Sequence, residues 1–563
     1  MKTTEPEPTP HSPVPSPDTA PKALKERPGG VARATGVVGL LTVVSRVFGL
    51  LRDVVVAVYF GAGYSTDAFF VAFKIPNLLR RLVAEGSLAA TFVPVFTDEL
   101  NKSEEAGRRA LGSVTTFTVL LTAVLTVFGM LFAPELTDLF APGFAEQSDK
   151  RDLAADLLWL MFPYTVLVSL LALSGSALNA LGHYAGPAAA PVILNISLIA
   201  SVFLLAGSFH EPIYCLGWGV LIGGALSVVP QIILLKRRGF PMHLRSPWGA
   251  EPVHTLVRLM LPSIISASVY QIMVFINTLL ASMLEEGSVS WLYYADRVFQ
   301  FPLGVFSLAL ATAVLPAFSR LVATKQYDRL GRQVTFTLNW LSFICIPATC
   351  GLVLFSRPLV EAFYEHGVFS NDSTVQTASA LWAFSVGLLP ISLHSVLVRA
   401  FLASKNTKTP AMVACGAIML NICCAFLLMG PPHVEPDSGL AAAIASLQSS
   451  VTMFDMGHAG LALAGSLASL GSATALLLLL PRIGITLDRG DYLRSNLRTI
   501  GAATGMSIVL YGVLLLGLSS LSTLLLGVPL GMVVFAFLAY LFGSPELEET
   551  FSVVRKLFRR TGE

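Results

Sequence analysis

Ser45-Arg46-Val47-Phe48-Gly49-Leu50-Leu51-Arg52-Asp53 sits inside an otherwise apolar stretch that runs from residue 33 to 60. A helix of about 20 residues crosses a hydrocarbon core of roughly 30 Å. The stretch therefore reads as a membrane span with charges in its middle. The rest of the chain is of the same kind. Its 563 residues are 54% apolar and only 13% charged, with a mean hydropathy of +0.70, whereas soluble domains carry about 25% charged residues. Apolar stretches of spanning length recur at 33–60, 65–96, 110–133, 153–181, 187–207, 212–235, 253–284, 289–319, 333–356, 374–402, 409–430, 457–481, 497–517 and 521–543. The expected fold is an all-α polytopic membrane protein of 14 transmembrane helices.

Loop charge orients these spans, because cytoplasmic loops are enriched in Lys and Arg. With the N-terminus inside, the inner segments hold 26 basic residues, and the outer ones hold only Lys150, Arg151 and Arg357. Both termini are then cytoplasmic. The formal charge of +2 is too small for a nucleic-acid-binding surface, so any important charge acts locally. The six cysteines form no metal spacing and read as small buried apolar residues.

Local matches at a nearly constant offset reveal an internal repeat. Ala90–Phe96 resembles Thr312–Phe318, Phe69-Phe70 answers Tyr293-Tyr294, and Ala177, Ala180 and Pro187 answer Ala400, Ala403 and Pro410. Two six-helix lobes follow, and because six is even they are parallel repeats about an axis along the membrane normal. The expected divisions are a Pro-rich cytoplasmic tail (1–32), an N-lobe (33–238), a C-lobe (239–482), two further helices (483–545) and a cytoplasmic tail (546–563). The long outer loop 431–457 holds an apolar run too short to span, read equally as an interfacial helix or an elongated loop.

An arginine at the centre of a span costs roughly 2.5–3.5 kcal/mol on the insertion scale, and such residues normally line a water-filled cavity. At 100° per residue, Arg46 and Asp53 share a helix face; Arg52 lies one step round, and Gly49 would permit a bend. The second span holds Asp67, Lys74, Arg80, Arg81 and Glu85. Pro76 should kink it, Arg81 and Glu85 can pair, and Lys74 and Arg80 have no evident local partner. Asp296-Arg297 brings an arginine from the second lobe. The competing reading of the first-span charges is a self-neutralised cluster that only fixes packing. Guanidinium groups pair bidentately with phosphate oxygens and stay charged where water is scarce, so an anionic substrate, a phosphate or diphosphate, fits the cavity. No P-loop, HExxH or GxSxG motif is present, so no enzyme activity, catalytic residue, cofactor or metal is expected. Energy would come from an ion gradient, the membrane potential or the substrate gradient.

Residues 45–53, 61–81 (Gly61 through Arg81), Ala84-Glu85-Gly86, 288–297 (Ser288 through Arg297) and Lys408-Thr409-Pro410 resemble the MurJ (MviN) family of lipid II flippases, and the resemblance runs from about residue 33 to the last helix. It implies the MOP transporter fold, with helices thirteen and fourteen forming a groove for the lipid tail. It also implies alternating access, carrying lipid II (undecaprenyl-diphosphate-MurNAc-pentapeptide-GlcNAc) from the inner to the outer leaflet of a bacterial inner membrane for peptidoglycan synthesis. Membrane lipids and the cell-wall synthesis machinery are the implied partners. The family's important residues match Arg46, Arg52, Asp53, Arg81 and Arg297 here, with Asp67 and Glu85 at further motif positions. The Pro-rich N-terminal extension and the lengthened loop 431–457 depart from the pattern. Some members are linked to sodium; Gln271, Asn277 and Asn421 are the polar candidates, read as packing. The alternative is a MOP-fold exporter of another lipid-linked oligosaccharide or of small molecules.

Overall fold

The computed structural model describes residues 28–81, 88–433 and 439–549. Most of both expected tails, and Glu85, lie outside the described residues. Every expected span falls on a helix or on two in tandem. α1 (Pro28–Phe60) is followed by α2 (Tyr64–Leu79) and α3 (Ala89–Lys102), which share the second span, and by α4 (Glu104–Leu131) and the short α5 (Ala133–Phe140). α6 (Ser148–Met161) and α7 (Tyr164–Ala180) form the fourth, then come α8 (Ala185–Leu205) and α9 (Tyr214–Arg237). The second half repeats the order: α10 (Glu251–Ser282), α11 (Ser288–Pro302) with α12 (Leu308–Ala323), α13 (Tyr327–Leu354), α14 (Ser356–Tyr364), α15 (Asn371–Val386) with α16 (Leu388–Ala403), and α17 (Lys408–Leu428). α18 (Gly439–Val451) lies in the long loop, followed by α19 (Gly457–Leu479), α20 (Arg489–Leu515) and α21 (Ser520–Leu541). The apolar run of that loop is thus a helix, closed by an isolated bridge between Met429 and Asp455.

Among the described residues, nine helical spans are long and apolar enough to cross a membrane, and α15–α16, bent by 40°, makes a tenth. The other expected spans, α1, α2–α3, α10 and α11–α12, are helical as well, and three of these four carry the intramembrane charges. Leu204, Leu478, Leu131 and Met532 are exposed, as they should be where hydrocarbon is the solvent. The same physics corrects the reading of the cysteines. All six are free; Cys215 and Cys345 are buried, but Cys415 and Cys423 lie exposed on α17, where an apolar side chain gains nothing by leaving lipid.

Helix breaks occur where the backbone loses donors. Proline removes one hydrogen bond and clashes with the preceding turn, and Pro302 ends α11 at a π-helical turn, Leu303–Ser307. Its counterpart in the second span is a π-helical turn at Arg80 and Arg81, four residues after Pro76. α1, by contrast, runs unbroken through Gly49. A Cβ there would lie 3.6 Å from Asn195 Nδ2, an ordinary van der Waals contact, so neither a bend nor the approach of α8 demands the glycine. Small residues set close contacts elsewhere, as membrane helices generally require: a Cβ on Gly223 of α9 would come within 2.9 Å of Ser197 Cβ on α8.

Packing repeats with sequence order. α8 on α9, α7 on α9, α2 on α6 and α5 on α6 in the first half match α17 on α19, α16 on α19, α11 on α15 and α14 on α15 in the second. The last two helices pack on each other, and α20 packs against α13. The basic loops, around 102–109, 236–245, 320–332 and 482–498, gather at one end. There the halves meet through apolar packing, Phe92, Phe96 and Leu100 of α3 joining Val253, Leu256 and Met260 of α10 in one cluster.

Hydrogen bonds seal the opposite end. Asp67 and Lys150, each 2% exposed, form an ion pair of 2.9 Å. Asp67 also accepts from the N–H groups of Gly287 and Ser290 and from Ser290 Oγ. It thereby caps the N-terminus of α11 with a negative charge, where the helix dipole favours one. Tyr64 N–H donates to Glu286, Tyr294 Oη to the carbonyl of Gly61, and Val368 N–H to the carbonyl of Val58.

Candidate substrate site between the two halves

Just inside the sealed end α1 faces α11 across the seam. Asp53, 2% exposed, accepts from Arg52 through Nε at 2.9 Å and Nη2 at 2.6 Å. Arg52 Nη1 donates to Asn195 Oδ1 of α8 at 3.0 Å, and Nη2 donates to Tyr293 Oη of α11 at 3.1 Å. From the second half, Arg297 brings Nε to 3.6 Å from the other Asp53 oxygen and donates from Nη2 to the same Tyr293 oxygen at 3.2 Å. Two guanidinium groups from opposite halves thus share one carboxylate. Asp53 alone cannot neutralise both, but Asp296 beside Arg297 supplies a second negative charge, so the positive excess of the site comes from Lys74 and Arg81.

The cationic face continues along α2 and α11. Lys74 Nζ donates to Thr278 Oγ1 of α10 at 3.1 Å, and Arg80 Nε to Asn77 Oδ1 at 2.7 Å. The partner of Lys74 lies on another helix, beyond the reach of sequence spacing, whereas that of Arg80 is its own i−3 neighbour. Asp296, bonded by Gln300, feels the charges of Arg297, Lys74 and Arg81, which places Arg81 in the same electrostatic neighbourhood. Lys74, Asp296 and Arg297 are partly exposed, and Arg81 and Gln300 are exposed. Arg46 lies apart from the cluster against the π-helical turn: a Cβ on Gly304 would fall 2.3 Å from its Nη1. The pocket enclosed beside Arg52 and Asp53 holds only about 10 Å³, room for roughly one water. That pocket is too small for a diphosphate, and the polar groups beside it that reach the surface are Lys74, Arg81, Asp296, Arg297 and Gln300.

Five expected residues, Arg52, Asp53, Lys74, Arg81 and Arg297, come together here. Asp67 does not join them. It is held at the sealed end by Lys150 and the α11 backbone, since a buried carboxylate needs a compensating cation and donors. Sequence reasoning missed Tyr293 and Asn195 as parts of the cluster. The repeat match of Phe69-Phe70 with Tyr293-Tyr294 pointed to the place, and the rings do meet, Phe70 stacking on Tyr293 with centroids 3.8 Å apart. Among the described residues no group of three His, Cys, Asp or Glu side chains could hold a metal. Asn421 is buried with neither amide atom partnered, and Asn277 Oδ1 is unpartnered too.

Two helical halves in repeated packing, tied by hydrogen bonds at one end over a seam with a cationic face, have the fold of MOP-superfamily transporters. An inward-facing multidrug-resistance MATE transporter of that superfamily superposes with a TM-score of 0.63 at 15% identity, over 78% of this chain and 94% of its own, which speaks to fold alone. The chain belongs to the MurJ family. The family's sequence model, described as lipid II flippase MurJ, matches residues 56–530. The lipid II flippase MurJ of Burkholderia cenocepacia is 33% identical over 482 residues, 84% of this chain and 88% of its own length. The probable lipid II flippase MurJ of Vibrio cholerae is 36% identical over 398 residues, 69% of this chain and 75% of its own. A solved lipid II flippase MurJ in an inward closed conformation superposes with a TM-score of 0.72 at 27% identity, over 90% of this chain and 98% of that one. The matched stretch begins just beyond Asp53, so Arg46, Arg52 and Asp53 rest on their geometry here.

Proposed function

We propose that this chain is a lipid II flippase of a bacterial inner membrane, moving the undecaprenyl-diphosphate-linked precursor from the inner to the outer leaflet by alternating access. The observation that carries this reading is the meeting of Arg52 and Arg297 from opposite halves, both paired with Asp53 and both bonded to the Tyr293 oxygen. Guanidinium forks suit a diphosphate, and a dianion would meet the positive excess that Lys74 and Arg81 add to the site. Arg81 and Lys74 extend the same face toward the headgroup, while Asp53 holds the arginines when the site is empty. Arg46 at the π-helical turn lines the approach.

The basic loops support a cytoplasmic position for their end and for both termini, with the sealed end facing outward and substrate entering from the inner leaflet. The polyprenyl tail stays in the bilayer, along the surface that α20 and α21 share with α13. The cell-wall synthesis enzymes that consume lipid II outside are the expected partners. Coupling is electrical or ionic: a site with excess cations responds to a membrane potential by about 2.3 kcal/mol per charge per 100 mV.

In cells depleted of the native flippase, this chain should prevent accumulation of lipid II on the inner leaflet. Its Arg52→Ala variant, inserted and folded to the same level, should not. Accumulation that persists with the unaltered chain would refute the proposal.

A further inference from the structure

The phenol oxygen of Tyr293 bonds to three charged side chains of the site. It accepts from Arg52 Nη2 at 3.1 Å and Arg297 Nη2 at 3.2 Å, and it can donate to Asp53 Oδ1 at 3.4 Å. A tyrosine hydroxyl has two lone pairs and one proton, so its capacity is filled. Its ring is fixed as well, stacked on Phe70 from the first half with the Arg297 guanidinium 4.6 Å from its centroid.

These bonds differ in what they span. Arg297 and Tyr293 are four residues apart on α11 and move together. The Arg52–Tyr293 bond joins α1 to α11 and must break if the halves separate there. Arg52 has five N–H donors, and four already serve Asp53 twice, Asn195 once and Tyr293 once. A phosphate gripped bidentately needs two. Asp53 holds its share with a full charge, and Asn195 is tied back to the carbonyl of Ser45 in the first half. The donor to release is the one held by the neutral phenol, which already sits where a phosphate oxygen bridging Arg52 and Arg297 would lie.

We propose that Tyr293 is a positioning residue: in the empty site its oxygen stands in for a phosphate oxygen between Arg52 and Arg297, and it surrenders Arg52 when the diphosphate arrives. Binding then undoes a tie between the halves, linking occupancy of the site to their rearrangement. The inference rests on reading the site as a diphosphate binder.

The test uses the full chain in nanodiscs with farnesyl diphosphate as probe and farnesol as control. Affinity is read by calorimetry, and opening by hydrogen exchange in peptides covering residues 61–70 and 286–294. Tyr293→Phe keeps the ring and removes the oxygen. Hydrogen bonds to charged groups are large enough that it should bind the probe about tenfold more tightly. Without ligand it should already show the faster exchange that the unaltered protein reaches only with probe bound. If the unaltered protein binds the probe with no change in exchange, or if Tyr293→Phe binds no more tightly, the inference is overturned and the diphosphate site stands. If the unaltered protein binds farnesyl diphosphate no better than farnesol, the site reading itself fails. Should the variant not fold, the exchange response of the unaltered protein decides alone.

Discussion

Placing a guanidinium in the middle of a membrane helix is tolerable only if its donors and its charge are met. Arg52 meets both conditions, with Asp53, Asn195 and Tyr293 around a side chain that is 13% exposed. Arg297, at 31%, depends on the same carboxylate. Removing a charged partner from a buried pair costs about 3–5 kcal/mol, because it leaves the remaining charge uncompensated. Asp53→Asn should therefore destabilise the protein by an amount in that range; unchanged thermal unfolding in detergent would show that solvent already balances the arginines. At this scale the sequence was informative about which residues matter and less so about how they pair. Helical angles put Arg46 and Asp53 on one face, yet Asp53 is bonded to its neighbour Arg52, and Arg46 reaches Gly304. Periodicity assigns faces, but a side chain's partner depends on the opposing helix. Tyr293 went unread for that reason, since nothing in its own helix marks its oxygen as a junction.

The helices themselves were legible because spanning length and hydropathy are strong signals. The breaks were less so, because a proline announces a disruption without saying whether the chain bends, turns to π-helix or simply continues. α12 carries Pro316 inside a continuous helix, whereas Pro302 ends one. Asp67 illustrates the same limit, since a motif position beside the site proved to be the cap of α11 at the sealed end. Lys150→Met should leave the buried Asp67 without its cation and held only by its α11 donors. Amides of Gly287 and Ser290 should then exchange markedly faster than in the unaltered protein. Exchange at the original rate would mean that the α11 backbone alone holds the seal. The short α18 was half legible: its apolar composition was visible, but its helical state depends on anchors such as Gln448, which donates to the carbonyl of Gly430.

For the molecule as a whole, the two halves supply unequal parts of one site. α1, α2 and the π-helical turn after α2 bring Arg52, Asp53, Lys74 and Arg81, whereas α11 brings Tyr293, Asp296 and Arg297. The polar ties at the sealed end and the mainly apolar contacts at the basic end differ in kind, and both are made in this structure, so opening either end means breaking a different set. A charged ligand held jointly by both halves is suited to drive such an exchange, because only interactions that differ between two states can shift their balance. The repeat that set out this architecture could be read from a few matched residues, but the asymmetry of the site could not, since it lies in positions where the two repeats differ. The most direct measurement of the central claim is transbilayer movement of lipid II in vesicles containing the purified protein, comparing the unaltered chain with Arg297→Ala. The unaltered chain should move lipid II, and loss of the second half's arginine alone should abolish movement in a protein that remains folded. Transport by Arg297→Ala at the unaltered rate would contradict a site built from both halves.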